Sequence, residues 1–190
     1  MTAVQSTQEV KTMYIAKNQL LLYRNVLSFK TRINCESIAG MVQHVRMNTD
    51  ALGLTVCGEI LVTISSGRSM SEGNALDMEF LLPVDKPFPD TPYFTYKPVL
   101  RLNNCLKLRH DGSLNDAWKS TGRLSRYITD NGYTPVTGFY YSLVRTCEEQ
   151  EINNITDIYV SVCSSVSGIQ KTEKRSRILC SSQSQTSLRY

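Results

Sequence analysis

Apolar side chains in this sequence run through the same series of spacings twice. Gln19–Phe29 is rich in apolar residues and bounded by polar ones, which predicts a strand. Ile38, Met41, Val42, Val45 and Leu52 then recur at three-to-four spacing, the mark of an amphipathic helix. Asn34 is its candidate cap, and Gly53 follows its end as the residue free to turn left-handed. Glu59–Ile64 and Met78–Val84 return to strand character on either side of the turn-rich SSGRSMSEGN. The series then starts again. Val99–Arg109 places Leu100, Leu102, Leu106 and Leu108 on one side of a pleat. A turn at His110-Asp-Gly-Ser leads into a helix over Leu114–Asp130 carrying Trp118, Leu124 and Ile128, and strands follow at Phe139–Arg145 and Asp157–Val162.

Residue matches support a duplication. Thr49–Gly58 (TDALGLTVCG) and Thr129–Gly138 (TDNGYTPVTG) share Thr-Asp, a Gly, a Thr and a Val shortly before a second Gly, with one residue of slippage. Glu79–Val84 (EFLLPV) and Asp157–Val162 (DIYVSV) each open on a carboxylate and close a short β run. The offsets are 80 and 78 residues, so two separate matches agree on one period. One helix and three strands per half predict an α+β fold, in which duplicated βαββ halves pack two helices on an antiparallel sheet with a pseudo-twofold axis and a central cleft. The expected organisation is an extension over residues 1–13 and one domain over 14–162, with halves at about 14–84 and 99–162. A polar tail follows over 163–190. Pro87, Pro89, Pro92 and Pro98 mark residues 85–98 as a stiff connector that cannot be a central strand.

Composition narrows the function classes. The chain is 41% hydrophobic and 20% charged, enough apolar material for one buried core. It contains no run near the roughly 18 apolar residues of a membrane span, and MTAVQSTQEVKTM lacks the apolar stretch of a secretory signal. A cytoplasmic location and no membrane partner are therefore expected. Cys35, Cys57, Cys105, Cys147, Cys163 and Cys180 form no C-x-x-C pair, and only His44 and His110 are available beside them. Free thiols are expected, with no metal and no cofactor. The net charge of +4 resides in the tail from Cys163 onward, where Lys171, Lys174, Arg175, Arg177 and Arg189 face Glu173 alone. The body balances to zero, so no nucleic-acid partner is expected for it.

The stretch Leu106–Gly132, LKLRHDGSLNDAWKSTGRLSRYITDNG, resembles the gyrase-inhibitor-like family in its strand, its His-x-Gly, and a helix ending at an Asn-Gly turn. The closing DIYVSV is similar to that family's Glu-x-x-[IV]-Pro-[IV] strand, with Asp157 in place of Glu and Ser161 in place of Pro. The resemblance runs from about Tyr14 to Val162. It implies a duplicated βαββ fold with a ligand cleft between the halves, as in the effector-binding domains of some multidrug-responsive transcription regulators. There an acidic residue near aromatic rings meets cationic or lipophilic ligands. With some 13 residues ahead of the first strand, a stand-alone binder is expected.

Strand alternation places Asp157 and Tyr159 on one face, with Ile158 and Val160 on the other. A carboxylate beside an aromatic ring holds a cation by charge and by cation–π attraction of about 0.5–2 kcal/mol. Glu79 is the corresponding carboxylate of the first half. Tyr93, Phe94 and Tyr96 in the connector and Tyr141 in the strand after the second helix complete the expected ligand-binding set; one of Tyr140 and Tyr141 points to the cleft. Trp118 belongs to the core, and His110 at its turn is read as structural. The sequence contains no Gly-x-Ser-x-Gly elbow, P-loop or dinucleotide fingerprint, which disfavours conventional nucleophilic catalysis. The leading expectation is non-catalytic binding of a small amphipathic or cationic molecule. Some relatives of the resembled fold are hydrolases that use a cleft Glu with Tyr, which leaves Asp157 or Glu79 with Tyr159 or Tyr141 as a rival pair for activating water. A partner protein on the same surface is the variant of that expectation, and the other rival is an interaction or accessory protein, for instance of a bacterial toxin or secretion locus, with no ligand.

Overall fold

A computed structural model of the chain describes residues 14–64, 75–112, 114–144 and 155–164. The first half comprises strand β1 (Ile15–Asn34), helix α1 (Ile38–Ala51) after one 3-10 turn, β2 (Ile60–Ile64) and β3 (Ala75–Pro83). The second comprises β4 (Thr95–Asp111), α2 (Leu114–Asp130), a short β5 (Tyr133–Pro135), β6 (Tyr140–Val144) and β7 (Ile155–Ser164). All strand pairs are antiparallel. The order β4-β1-β3-β2-β6-β7 closes on itself because β7 also pairs with β4, and β5 adds to the end of β7. Two helices on one large antiparallel sheet make this an α+β protein, as the sequence predicts.

The two long strands change partner partway along. β1 pairs with β4 through most of its length, and its ladder to β3 begins at Val26. β4 in turn begins its ladder to β7 at Cys105. Immediately before each change stands an asparagine with left-handed backbone, Asn25 at φ 52° and Asn104 at φ 49°. Asparagine tolerates that region better than other non-glycine residues, so a strand can kink at these two points. Each Asn also ties down the far end of its half: the Asn25 carbonyl accepts the Val84 N–H at 2.8 Å, and the Asn104 amide donates to the Val162 carbonyl at 2.6 Å. Helix α1 ends in a Schellman arrangement, with Gly53 (φ 69°) donating to Asp50 and Leu54 donating to Thr49. Gly132 (φ 65°) takes the same place after α2.

The main core lies between the sheet and the helices. Ile38 and Val45 of α1 and Ala117, Leu124 and Ile128 of α2 meet Leu27, Val62, Phe80, Leu82, Leu106, Leu108, Ile158 and Val160. Each fully buried side chain of this kind contributes about 1.5–3 kcal/mol. Trp118 packs edge-on against Tyr141 with ring centroids 4.4 Å apart. The His110 ring bonds the Ser120 hydroxyl at 2.9 Å, tying the end of β4 to α2.

Four boundaries differ from expectation. Asn34 ends β1 instead of capping α1, because the ladder to β3 continues through Asn34 opposite Ala75. Pro98 lies inside β4, over a stretch where β1 is the only ladder partner among the described residues, and a strand with an open side tolerates proline. The strand β5 carries no signal in the sequence, its three residues being too few to show a period. Cys163 and Ser164, expected in the tail, continue β7 and pair with Thr134 and Tyr133. Residues 1–13 and the rest of the tail lie outside the described residues.

Candidate functional site

Opposite the helices, the sheet presents a second face, and ladder register assembles on it two rows of side chains that run across all six ring strands. One row reads Lys30, Glu79, Thr63, Tyr140, Tyr159, Lys107 along β1-β3-β2-β6-β7-β4. The other reads Ser28, Leu81, Leu61, Ser142, Asp157, Arg109 over the same strands. Read from opposite ends, both rows give a cation, a carboxylate and a hydroxyl in the same order. Beneath and beside them, Leu21, Val26, Leu61, Leu81, Leu100, Leu102, Cys105 and Tyr159 form a second apolar cluster, with Tyr23 and Tyr140 packed against it.

Asp157 is 1% exposed. Its carboxylate accepts two bonds from Arg109, Nε to Oδ1 and an Nη to Oδ2, both at 2.8 Å. Lys107 Nζ reaches Oδ2 at 2.7 Å and lies 5.3 Å from the centre of the Tyr159 ring. Burial pushes the Asp157 carboxyl up, but Arg109 and Lys107 outweigh it and hold it below its ordinary value. Lys107 shows the converse balance, burial lowering it and Asp157 raising it to a net upward shift. Neighbouring Ser142 donates to Glu59. Tyr23, half-buried beside Glu59, Tyr159 and Asp157, is pushed up to about 12, chiefly by burial. Its ring lies so close to Gly58 that an added Cβ there would come 2.9 Å from it, which explains the glycine.

At the other end of the sheet, Glu79 accepts bonds from Ser28 and from Lys97, whose Nζ lies 2.5 Å away. Burial raises the Glu79 carboxyl, whereas Lys97 and Ser28 lower it further than burial lifts it. Both carboxylates are thus engaged within the protein. Of the seven residues expected to line the cleft, Asp157, Glu79 and Tyr159 share this face. The other four do not. Tyr141 is buried on the helix side with its hydroxyl 3.0 Å from Thr121, which leaves Tyr140 as the ring on this face. Tyr96 packs against the helix-side core and donates to Asn25, and Phe94 is buried against Phe29. Tyr93 is exposed and, with Phe94, Phe29, His44, Asn48 and Leu52, lines a separate groove of about 580 Å³ beside α1. The connector's route over α1 carries these rings away from this face.

The residues missed are the cations. Lys107 and Arg109 alternate along the strand-like Val99–Arg109, and their phase with respect to Leu106 and Leu108 places them on the face away from the helices. Lys97 had no such signal, being hidden in the connector next to Pro98.

No family model and no curated protein matches the chain. Solved structures do share its fold. The EcmrR–DNA complex in EcmrR-RPo, a cryo-electron microscopy structure, superposes with a TM-score of 0.65 at 15% identity, over 80% of this chain and 57% of that one. The crystal structure of the EcmrR C-terminal domain superposes with a TM-score of 0.60 at 16% identity, over 80% of this chain and 98% of that one. The present chain spans just over half the length of the chain in the DNA complex and nearly all of the C-terminal domain. At these identities the likeness is one of fold.

Proposed function

We propose that this chain binds a small amphipathic molecule in the cleft opposite the helices and does not transform it. The observation that carries this reading is the join between the second apolar cluster and the two charged rows. A ligand's apolar body would lie against Tyr140 and the exposed edge of Tyr159, which rest on the buried Leu61 and Leu81, and its polar end would meet the ion pairs around them. Few polar groups converging on an aromatic floor is the usual make-up of a small-molecule site. The fold shared with the EcmrR C-terminal domain is compatible with this use of the cleft. Hydrolysis is the weaker reading, because a general base works best with its pKa raised towards neutrality. Asp157 and Glu79 are instead both lowered and both bonded to cations. No contact with nucleic acid is proposed, since the excess of basic residues belongs to the tail.

Calorimetric titration with naphthalenemethanol, an uncharged aromatic alcohol, tests the site. Saturable binding to the wild type is expected, with a loss of roughly tenfold or more in Tyr140→Ala and Tyr159→Ala. Tyr93→Ala should bind as the wild type does. If Tyr93→Ala abolished binding while the other two retained it, the site would move to the groove beside α1.

A further inference from the structure

We propose that Lys107 is a built-in occupant of the cation seat in this cleft, so that the chain selects acid-bearing over cationic amphipathic ligands. The inference rests on the binding reading above and names the ligand class it implies. A cation bound in such a site would need a carboxylate on one side and the face of an aromatic ring on the other. Asp157 and Tyr159 supply both, and the Lys107 ammonium already lies between them, 2.7 Å from the carboxylate and 5.3 Å from the ring centre.

Three features make this occupant hard to displace. Lys107 and Tyr159 are direct partners across the β4–β7 ladder, so the lysine is tethered at its seat and needs no translational entropy to reach it. Arg109 occupies the remaining side of the carboxylate through two bonds in fork geometry. The depth order also favours the protein's own cations. The Asp157 side chain is 2% exposed, against 24% for Lys107 and 58% for Arg109. Glu79 repeats this at the other end, 12% exposed beneath Lys97 at 34%. A molecule arriving from solvent therefore meets ammonium and guanidinium groups before it meets either carboxylate. Asp77 stands further out at the rim, opposite Arg32 across the ladder. An incoming cation would have to evict a tethered one from a partly desolvated pair, whereas an incoming acid can share the exposed edges of Lys107 and Arg109.

Three probes of one shape separate the possibilities: naphthoate, naphthalenemethanol and naphthylmethylammonium, titrated calorimetrically into the wild type, Lys107→Met and Lys107→Gln. In the wild type, affinity should fall from the acid to the alcohol to the amine. Emptying the seat in Lys107→Met should raise affinity for the amine by roughly tenfold to a hundredfold, the worth of one charge-assisted hydrogen bond. The alcohol should change far less. Lys107→Gln, which keeps a polar side chain of similar length, should give the same order with a smaller gain, and its melting curve checks that the fold is kept if the Met variant is unstable. Equal binding of amine and acid by the wild type, or no gain for the amine in either variant, would overturn the proposal and leave the binding function standing. If no probe, the uncharged one included, bound the wild type or either variant, the binding function would fall with it.

Discussion

Asp157 and Glu79 hold the same place in two halves of one ring: each lies between a strand that offers a cation and a strand that offers a hydroxyl, Arg109 and Ser142 in one case, Lys30 and Thr63 in the other. Their surroundings nevertheless differ. Asp157 is clamped by a two-pronged guanidinium and a lysine set over a tyrosine ring, and is almost wholly buried. Glu79 is held by one lysine from a distant part of β4 and by a serine, and keeps more access to water. Register fixes where a carboxylate stands. The geometry of its partners and the depth of burial decide how much its charge matters.

The most severe way to break the comparison is to remove one cation from each end. Arg109→Met leaves the buried Asp157 with a single partner and should destabilise the fold by about 2–3 kcal/mol, the upper end for a charge-assisted hydrogen bond, since Arg109 itself is exposed. Lys97→Met exposes a shallower carboxylate that still has Ser28, and should cost about 1 kcal/mol. Urea unfolding of both variants measures the gap; equal losses would mean that the two ends are energetically alike. A smaller effect is expected where Tyr23 enters the Asp157 end. Gly58→Ala forces the ring or Pro83 aside and should cost about 1 kcal/mol, the low end for overpacking, with a change in tyrosine absorbance that identifies the displaced ring. An unaltered spectrum would place the adjustment in Pro83 instead. The mildest test is pH. Both carboxyls are lowered in the folded state, so their stabilisation is present above the ordinary carboxylate range and is lost as pH falls through the lowered values. Asp157→Asn should flatten the fall in stability below about pH 4 more than Glu79→Gln does, read from urea midpoints across that range.

What the sequence revealed follows the same division between place and partners. The order of elements was legible because alternation and helical spacing are written locally, in Met78–Val84 as clearly as in Ile38–Leu52. Asp157 and Tyr159 could be assigned to one face for the same reason, and the β7 ladder puts them there. Their neutralisation was not legible, since it depends on β4 pairing with β7 across about 50 residues of chain, and nothing in DIYVSV announces Arg109. The connector rings misled for a related reason. Tyr93, Phe94 and Tyr96 lie in a proline-rich run whose course is set by where β4 starts, and β4 starts at Thr95. Pro98 concealed that start.

Closure of the ring has a consequence for how the protein is made. β1 needs β4 for a full set of partners, and β2 needs β6, so both strands of the first half await the second. About 80 residues separate the paired segments of β2 and β6. At a synthesis rate of about 5–20 residues per second, the first half waits roughly 4–16 s for its missing neighbours. Over that interval β2 offers an unpaired backbone edge flanked by Leu61 and Leu81, which end fully buried in the finished ring. Such an edge is a template for pairing with another chain. The completed protein has shut it away, so the hazard falls on the nascent chain and is greatest when many copies are translated side by side.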